Sequence, residues 1–332
     1  MNRLSLLLLA LGSVLIATAA DAQIHTGNLS LNSQEQVNAF AYSEVTGSLT
    51  ISGSDIVDLS ALSPLTRVGT YLSISDNTAL TQVNGFQNLT EVGWGIYVWE
   101  NTGLVSFSGF DALLHTGDNI DFWFNDSLVT VSGFDSLQSV GWSLEFGGNA
   151  ALKSIPRFKS LETINSSLFV LDNASLTRIT GFPALQHVDW SMGILSNATL
   201  ATLCGFYDYF SANGSFTGEG DFMISGNDPS LPSPTTIEDI LGAGPCEVLQ
   251  LLDNLITETQ EMGLPQGTRN FLVNSLENAK KSFESGRDSD ATRKLAALID
   301  DIRSLQQRGK LDGATADYLV AAVSEIIDVI NA

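Results

Sequence analysis

The sequence predicts a mainly β chain, a parallel β-solenoid of 24-residue coils followed by a small all-α helical bundle. Three observations predict it. Asn77, Asn101, Asn125, Asn149, Asn173 and Asn197 recur at intervals of 24 residues. Apolar columns keep step, among them Leu80, Leu104, Leu128, Leu152, Leu176 and Leu200, and the ring column Phe86, Phe110, Phe134, Phe158, Phe182 and Phe206. From Cys246 onward the repeat stops, and apolar residues recur every three to four positions, the helical period.

The chain opens with one positive charge in Met1–Arg3 and an apolar run over 4–19 broken only by Ser5, Gly12, Ser13 and Thr18. Ala20-Asp21-Ala22 then offers a small-x-small cleavage site. This is the pattern of a secretory signal peptide over 1–22, cleaved near Ala22–Gln23, and its apolar stretch is short for a spanning helix. No other segment reads as a membrane span, so the expectation is a secreted or cell-surface protein. Ser33-Gln34-Glu35-Gln36 reads as a capping box that opens a short helix through Phe40 and covers the first coil, whose strand is Leu49-x-Ile51.

Before each ladder Asn lies a short alternating segment: Leu72-x-Ile74, Ile96-x-Val98, Ile120-x-Phe122, Leu144-x-Phe146 and Leu168-x-Val170. Alternation with period two is a half-buried strand, and one strand per coil in a constant direction gives a parallel stack about 4.8 Å apart. A coil cannot bury its own apolar side, so stacking creates the core. An Asn at the same inward turn of every coil can bond backbone groups of the coils on either side. Sequons such as Asn173-Ala174-Ser175 are by-products of that turn.

The period breaks at the far end. Phe222-x-Ile224 precedes Asn227, which stands 30 residues past Asn197, so Tyr207–Gly220 carries an insertion of six. Pro229, Pro232 and Pro234 follow, then Ile237–Leu241. An exported chain favours a disulfide between its two cysteines, Cys204 and Cys246; free thiols are the alternative. Domains are therefore expected at 23–245 (solenoid with an N-terminal cap helix) and 246–332 (helical). Within the latter, helices are expected from Val248 to Gly263-Leu264-Pro265, over about 268–284, over about 289–307 and over about 314–330.

The net charge of −22 is uneven. Residues 23–245 carry 22 acidic and 5 basic residues, and residues 246–332 carry 14 and 9. Nucleic acid and anionic membranes need clustered cations, so both are excluded as partners.

The repeat resembles the receptor L domain, on Gly47-Ser48-Leu49-Thr50-Ile51, Leu59-Ser60-Ala61-Leu62, Leu65-Thr66-Arg67-Val68-Gly69 and the strand-x-x-Asn units that follow, with Gln36-Val37-x-x-Phe40 ahead of them. The likeness spans about 30–245 and implies a right-handed, leucine-rich-repeat-like β-helix. Cysteine-rich modules, a transmembrane helix and a kinase are missing, so receptor signalling is not implied, and the chain is more similar to secreted bacterial members. The C-terminal segment is similar to the FIMAH domain of exported bacterial proteins on Leu264-Pro265-x-Gly267, Leu276-x-x-Ala279-x-x-Ser282-Phe283, Leu295-x-Ala297-x-Ile299, and Leu311 followed by Ala316-Asp317-x-Leu319. That likeness implies attachment or interaction and supplies no catalytic residue.

Chemistry is sparse in the sequence. His115 and His187 share a column three coils apart, roughly 14 Å, too far to share a metal or a proton. His25 stands alone, and no nucleophile elbow, zinc-binding helix or phosphate loop is present. Two acidic groups could suggest calcium: Asp118, Asp121 and Asp126, and Glu219, Asp221 and Asp228; neither matches a known loop, and no metal or other cofactor is expected. Asp121 and Glu145, outward and one coil apart, form the one carboxylate pair a glycosidase would need, though solvated surface carboxylates are the plainer reading.

The outward strand positions carry more. Tyr97 and Trp99 alternate with inward Ile96 and Val98; Trp123, 24 residues after Trp99, is expected to stack beside it, with Phe169 further along. Trp94, Trp142 and Trp190 form a second column at the strand entrance. Outward aromatics on a flat sheet suit sugar rings or a partner surface, unless a loop or the helical domain covers them. The expectation is a non-catalytic exported protein that binds an extracellular glycan or protein through Tyr97, Trp99, Asp121, Trp123 and Glu145. A polysaccharide-acting enzyme and a ligand-free envelope spacer are the alternatives.

Overall fold

The computed structural model describes residues 23–331 apart from 156, 180, 201, 228–235 and 244–245. The signal-peptide assignment, Asp228 and the three prolines at 229, 232 and 234 lie outside the described residues. Over the rest, a parallel β-solenoid is followed by four long helices.

The alternating segments form one nine-stranded parallel sheet in sequence order: Leu29–Leu31, Leu49–Ile51, Leu72–Ser75, Ile96–Trp99, Ile120–Trp123, Leu144–Gly147, Leu168–Leu171, Met192–Leu195 and Phe222–Ser225. The 24-residue period fixes the register, so Ile96 pairs Ile120 and Ile120 pairs Leu144. Each coil has three sides rather than one strand. An eight-stranded sheet of short strands, from Gln23–His25 to His187–Val188, forms the second side. Gln82–Val83, Ser106–Phe107 and Thr130–Val131, then Ser154–Ile155 and Arg178–Ile179, form the third. Most of these strands have two residues, too few for alternation to register, although Val68, Val92, Thr116, Val140, Ile164 and Val188 keep the 24-residue step.

The first coil starts earlier than the sequence suggests. Leu29–Leu31 pairs with Leu49–Ile51, and α1 (Gln34–Asn38) lies within this coil, after its first long-sheet strand. Ser33 Oγ accepts from Gln36 N–H, whereas Gln36 Oε1 accepts from Asn32 N–H, one residue before the position a capping box uses.

Two ladders run along the core. The backbone and side-chain N–H groups of Asn77 both donate to Asn101 Oδ1, at 3.1 and 2.9 Å, and the same pair of bonds joins Asn101 to Asn125 and onward. Asn101 Nδ2 also donates to the carbonyls of Ile74 and Trp99. The chain of amides reaches Asn227 across the six-residue insertion. Asn77 to Asn197 are fully buried, so in the folded protein a glycan cannot occupy the Asn173 sequon. Beside them Phe86, Phe110, Phe134, Phe158, Phe182 and Phe206 follow one another at 4.8–5.7 Å between ring centres. Each such ring contributes roughly 1.5–3 kcal/mol on burial.

The inserted residues form α2 (Tyr207–Asn213), whose Tyr209 and Phe210 plug the end of the core, and Gly214 ends it in a left-handed turn. Ile240 of α3 (Ile237–Ala243) joins the same core. Cys204 and Cys246 form a disulfide that ties the last coil to the start of the bundle.

The bundle consists of α4 (Val248–Glu261), α5 (Gln266–Glu284), α6 (Asp288–Gln307) and α7 (Gly313–Asn331), each within two residues of its expected bounds where those were set. Its own core includes Leu252, Leu276, Leu298 and Leu319, with Val129 of the solenoid packed on it. None of the described helices is long and apolar enough to cross a membrane.

α7 docks on the third side, where outward Ser106, Thr130 and Arg178 are consequently buried. Arg178 Nη1 donates to Glu258 Oε1 at 2.8 Å and its Nε lies 3.8 Å from Glu325, while Tyr318 donates to the other oxygen of Glu258. Asp317 accepts from Gln82 and Ser106. Lys153 stands over the Tyr318 ring at 5.3 Å, and Lys159 pairs with Asp328. Four of the solenoid's five basic residues thus face the bundle, counting Arg157, whose charge acts on Glu325. The fifth, Arg67, pairs with Glu44 and Glu91.

Candidate ligand-binding face

The bundle leaves the nine-stranded sheet open. In Ile96–Trp99 the pleat sends Ile96 and Val98 into the core and Tyr97 and Trp99 outward. The register then sets Tyr97, Asp121, Glu145 and Phe169 in one outward column and Trp99, Trp123 and Gly147 in the next. The five predicted residues therefore form one contiguous patch.

Within it, packing departs from expectation at two places. Trp99 and Trp123 are register partners, but their ring contacts go elsewhere. Trp99 meets Tyr97 edge-on at 5.6 Å, and Trp123 meets Phe124 at 5.5 Å. Trp123 turns toward the following coil, where Gly147 has no side chain: a Cβ there would stand 2.3 Å from its six-membered ring. Its Nε1 donates to Glu145 Oε2 at 3.1 Å. Phe169 fills the space over Gly193 in the same way. An aromatic laid across a neighbouring glycine shields otherwise bare sheet backbone.

Asp121 is the second departure. It is 4 % exposed, not a solvated surface carboxylate. Asn119 donates to its Oδ2 at 3.2 Å, while its Oδ1 is buried with no hydrogen-bond partner among the described residues. Burial, followed by the charge of Glu145, pushes this carboxyl up to about 7, against the pull of the Asn119 bond. An orphan oxygen costs less on a neutral acid than on an anion. Burial also raises Glu145, opposed by the Trp123 bond. Tyr97 is pushed up to about 12 by burial, then by Asp118 and Asp121.

One residue of the patch is not singled out by sequence reasoning. The position before each ladder Asn is left-handed in every long coil: φ is 58° at Asp76, 56° at Glu100, 57° at Phe124, 63° at Gly148, 56° at Asp172 and 59° at Ser196. The turn is closed by the Asn side chain, which donates to the carbonyl two residues back. Acidic, serine or glycine residues occupy all but one of these positions. Phe124 does so at a cost of about 1–2 kcal/mol in backbone strain. Its ring remains 53 % exposed, with one side against Gly148. A signal was available: Phe124 is the one aromatic in its 24-residue column.

Elsewhere the exposed tryptophans Trp94, Trp142 and Trp190 follow one corner of the solenoid. His115 and His187 are exposed, on strands of the eight-stranded sheet. Among the described residues, no three His, Cys, Asp or Glu side chains gather closely enough to hold a metal ion, and Asp121 turns to Asn119 rather than joining Asp118 and Asp126. Cavities of about 600 and 500 Å³ lie beside the disulfide and under α7, lined by other residues.

No family, curated protein or solved structure matches the chain. The patch offers Trp99 and Phe124 as exposed rings, Tyr97 and Glu145 as half-buried polar groups in the neighbouring column, and no cation among its described residues. Such a surface can stack on the apolar face of a sugar and hydrogen-bond its hydroxyls.

Proposed function

We propose that the chain is an exported, non-catalytic binding protein that takes a glycan on the patch formed by Tyr97, Trp99, Trp123, Phe124 and Glu145, with Asp121 beneath it. The observation that carries this reading is Phe124. A bulky ring is held in a left-handed turn and left half-exposed where glycine or aspartate would serve the fold better. Trp99 keeps 44 % exposure with the bundle in place, so the helices are not its cover. In this reading the solenoid is a receptor-L-type module and the helices a FIMAH-like module of the cell surface. The disulfide fits an oxidising compartment.

A polysaccharide-acting enzyme is the second reading, favoured by one observation: a carboxyl raised to about 7 beside a second carboxylate resembles an acid–base pair. Access argues against it. A general acid must come within hydrogen-bond reach of the glycosidic oxygen, and Asp121 is buried under its neighbours.

Incubating the protein with a polysaccharide panel, and measuring both retention and release of reducing or unsaturated ends, separates the readings. Retention of soluble glycans without release, lost in Trp99→Ala, is the expected result. Release abolished by Asp121→Asn would establish the enzyme instead. No retention on any glycan would leave a protein ligand or an envelope spacer.

A further inference from the structure

All five tryptophans lie outside the core, which is filled by Phe, Leu, Ile and Val. Two belong to the patch above. The other three occupy a different surface, the corner where the eight-stranded sheet hands over to the nine-stranded one. Trp94, Trp142 and Trp190 are 56 %, 57 % and 53 % exposed. They share one column of the repeat, whose alternate members are polar: Trp94, Asp118, Trp142, Ser166, Trp190.

The corner is held in step by backbone bonds from coil to coil: Trp94 N–H donates to Thr70 O at 2.8 Å, Asp118 N–H to Trp94 O at 3.0 Å and Trp190 N–H to Ser166 O at 2.8 Å. With coils about 4.8 Å apart, successive indoles stand about 10 Å apart along the solenoid axis. A single exposed aromatic needs no explanation, but three at equal spacing in one line, with a hydrogen-bonding side chain between each pair, form a periodic apolar surface.

We propose that Trp94, Trp142 and Trp190 form a linear platform for an extended, uncharged β-1,4-linked polysaccharide lying along the solenoid axis. In such a chain each sugar is turned over relative to the last, so the same ring face returns once per disaccharide, an interval of the same length as two coils. Each indole stacks on every second sugar, and the half-exposed Asp118 meets the hydroxyls of the sugar between Trp94 and Trp142. The acidic surface selects against anionic polymers. A helical α-linked glucan presents its sugars at changing angles and does not match a straight row. This platform is separate from the Trp99 patch, and either can fail without the other.

The test is retention of the full chain on microcrystalline cellulose and on insoluble chitin, with starch granules as the α-linked control. The expected result is retention on a β-linked solid and not on starch. Loss of one stacked ring lowers affinity about fivefold, and Trp94→Ala/Trp142→Ala/Trp190→Ala together about a hundredfold. Phe271→Ala, which removes an exposed ring of the helical bundle, should leave retention on the solid unchanged. A register variant, Trp142→Ala with Asp118→Trp, keeps three indoles in the column but destroys their even spacing, and should not recover binding. Unchanged melting temperatures show that the variants fold. Equal retention on starch, no retention on either β-linked solid, full retention by the triple variant or recovery by the register variant would each overturn the proposal.

Discussion

Phe124 lays its ring over Gly148 of the next coil, so close that a Cβ on that glycine would stand 2.7 Å from the ring edge. Both residues occupy the left-handed position before the Asn ladder. Glycine suits that conformation and phenylalanine does not, yet the ladder imposes the same turn on both. The fold therefore tolerates Phe124 without requiring it. That separation of tolerance from requirement distinguishes a surface used for binding from one used for stability.

The Asn ladder should be the most sensitive polar feature of the fold. Asn125→Ala leaves the Asn101 backbone N–H unpaired inside the core and removes one partner each from Asn101 Nδ2 and the Val98 carbonyl. Each orphaned buried group costs about 1–3 kcal/mol, so the variant should unfold at markedly lower denaturant than a surface change such as Asn88→Ala.

Docking of the bundle should depend on Arg178. Arg178→Ala leaves Glu258 and Glu325 facing each other without their buried cation, a loss of about 3–5 kcal/mol. Calorimetry should then resolve a separate, earlier transition for the helices. Adding Glu258→Gln and Glu325→Gln should restore much of the loss.

Asp121 should make stability fall as pH rises. Its folded value of about 7 lies above the ordinary 3.8, so the folded state holds a proton that the unfolded state releases. The stabilisation is complete below about pH 4 and is lost as pH rises through about 7. Glu325, also pushed up to about 7 by burial, against the pull of Arg178, titrates in the same window. Asp121→Asn should flatten part of the decline in melting temperature between pH 4 and 8, and Asp121→Asn with Glu325→Gln more of it. An undiminished slope in the double variant would contradict this account.

The disulfide closes a separation of 42 residues. On loop-closure entropy its removal by Cys204→Ser with Cys246→Ser should cost about 3–4 kcal/mol, read as a lower denaturation midpoint equal to that of the wild type under reducing conditions.

The inward half of the solenoid is legible in the sequence because packing forces repetition. Leu80, Phe86 and Asn77 must recur for coils to stack, and the recurrence names the fold. The four long helices are legible for the same reason, at a different period. The two-residue strands are not, because two residues cannot show alternation. The outward half is only partly legible. That Tyr97, Asp121 and Glu145 share a column follows from the period, but the burial of Asp121 and its bond to Asn119 depend on side-chain packing, which no period fixes. The docking of α7 is invisible in either periodicity, although the concentration of cations at Lys153, Arg157, Lys159 and Arg178 within an acidic domain is a sign of it.

The most direct test of the binding face compares wild type with Phe124→Gly, measuring affinity for the retained glycan and melting temperature in the same buffer. Relief of the left-handed strain offsets the lost ring contact, so the melting temperature should stay the same or rise, while affinity falls about fivefold or more. Unchanged affinity, or a melting temperature lowered by several degrees, would mean that Phe124 serves the fold and that the face has been misassigned.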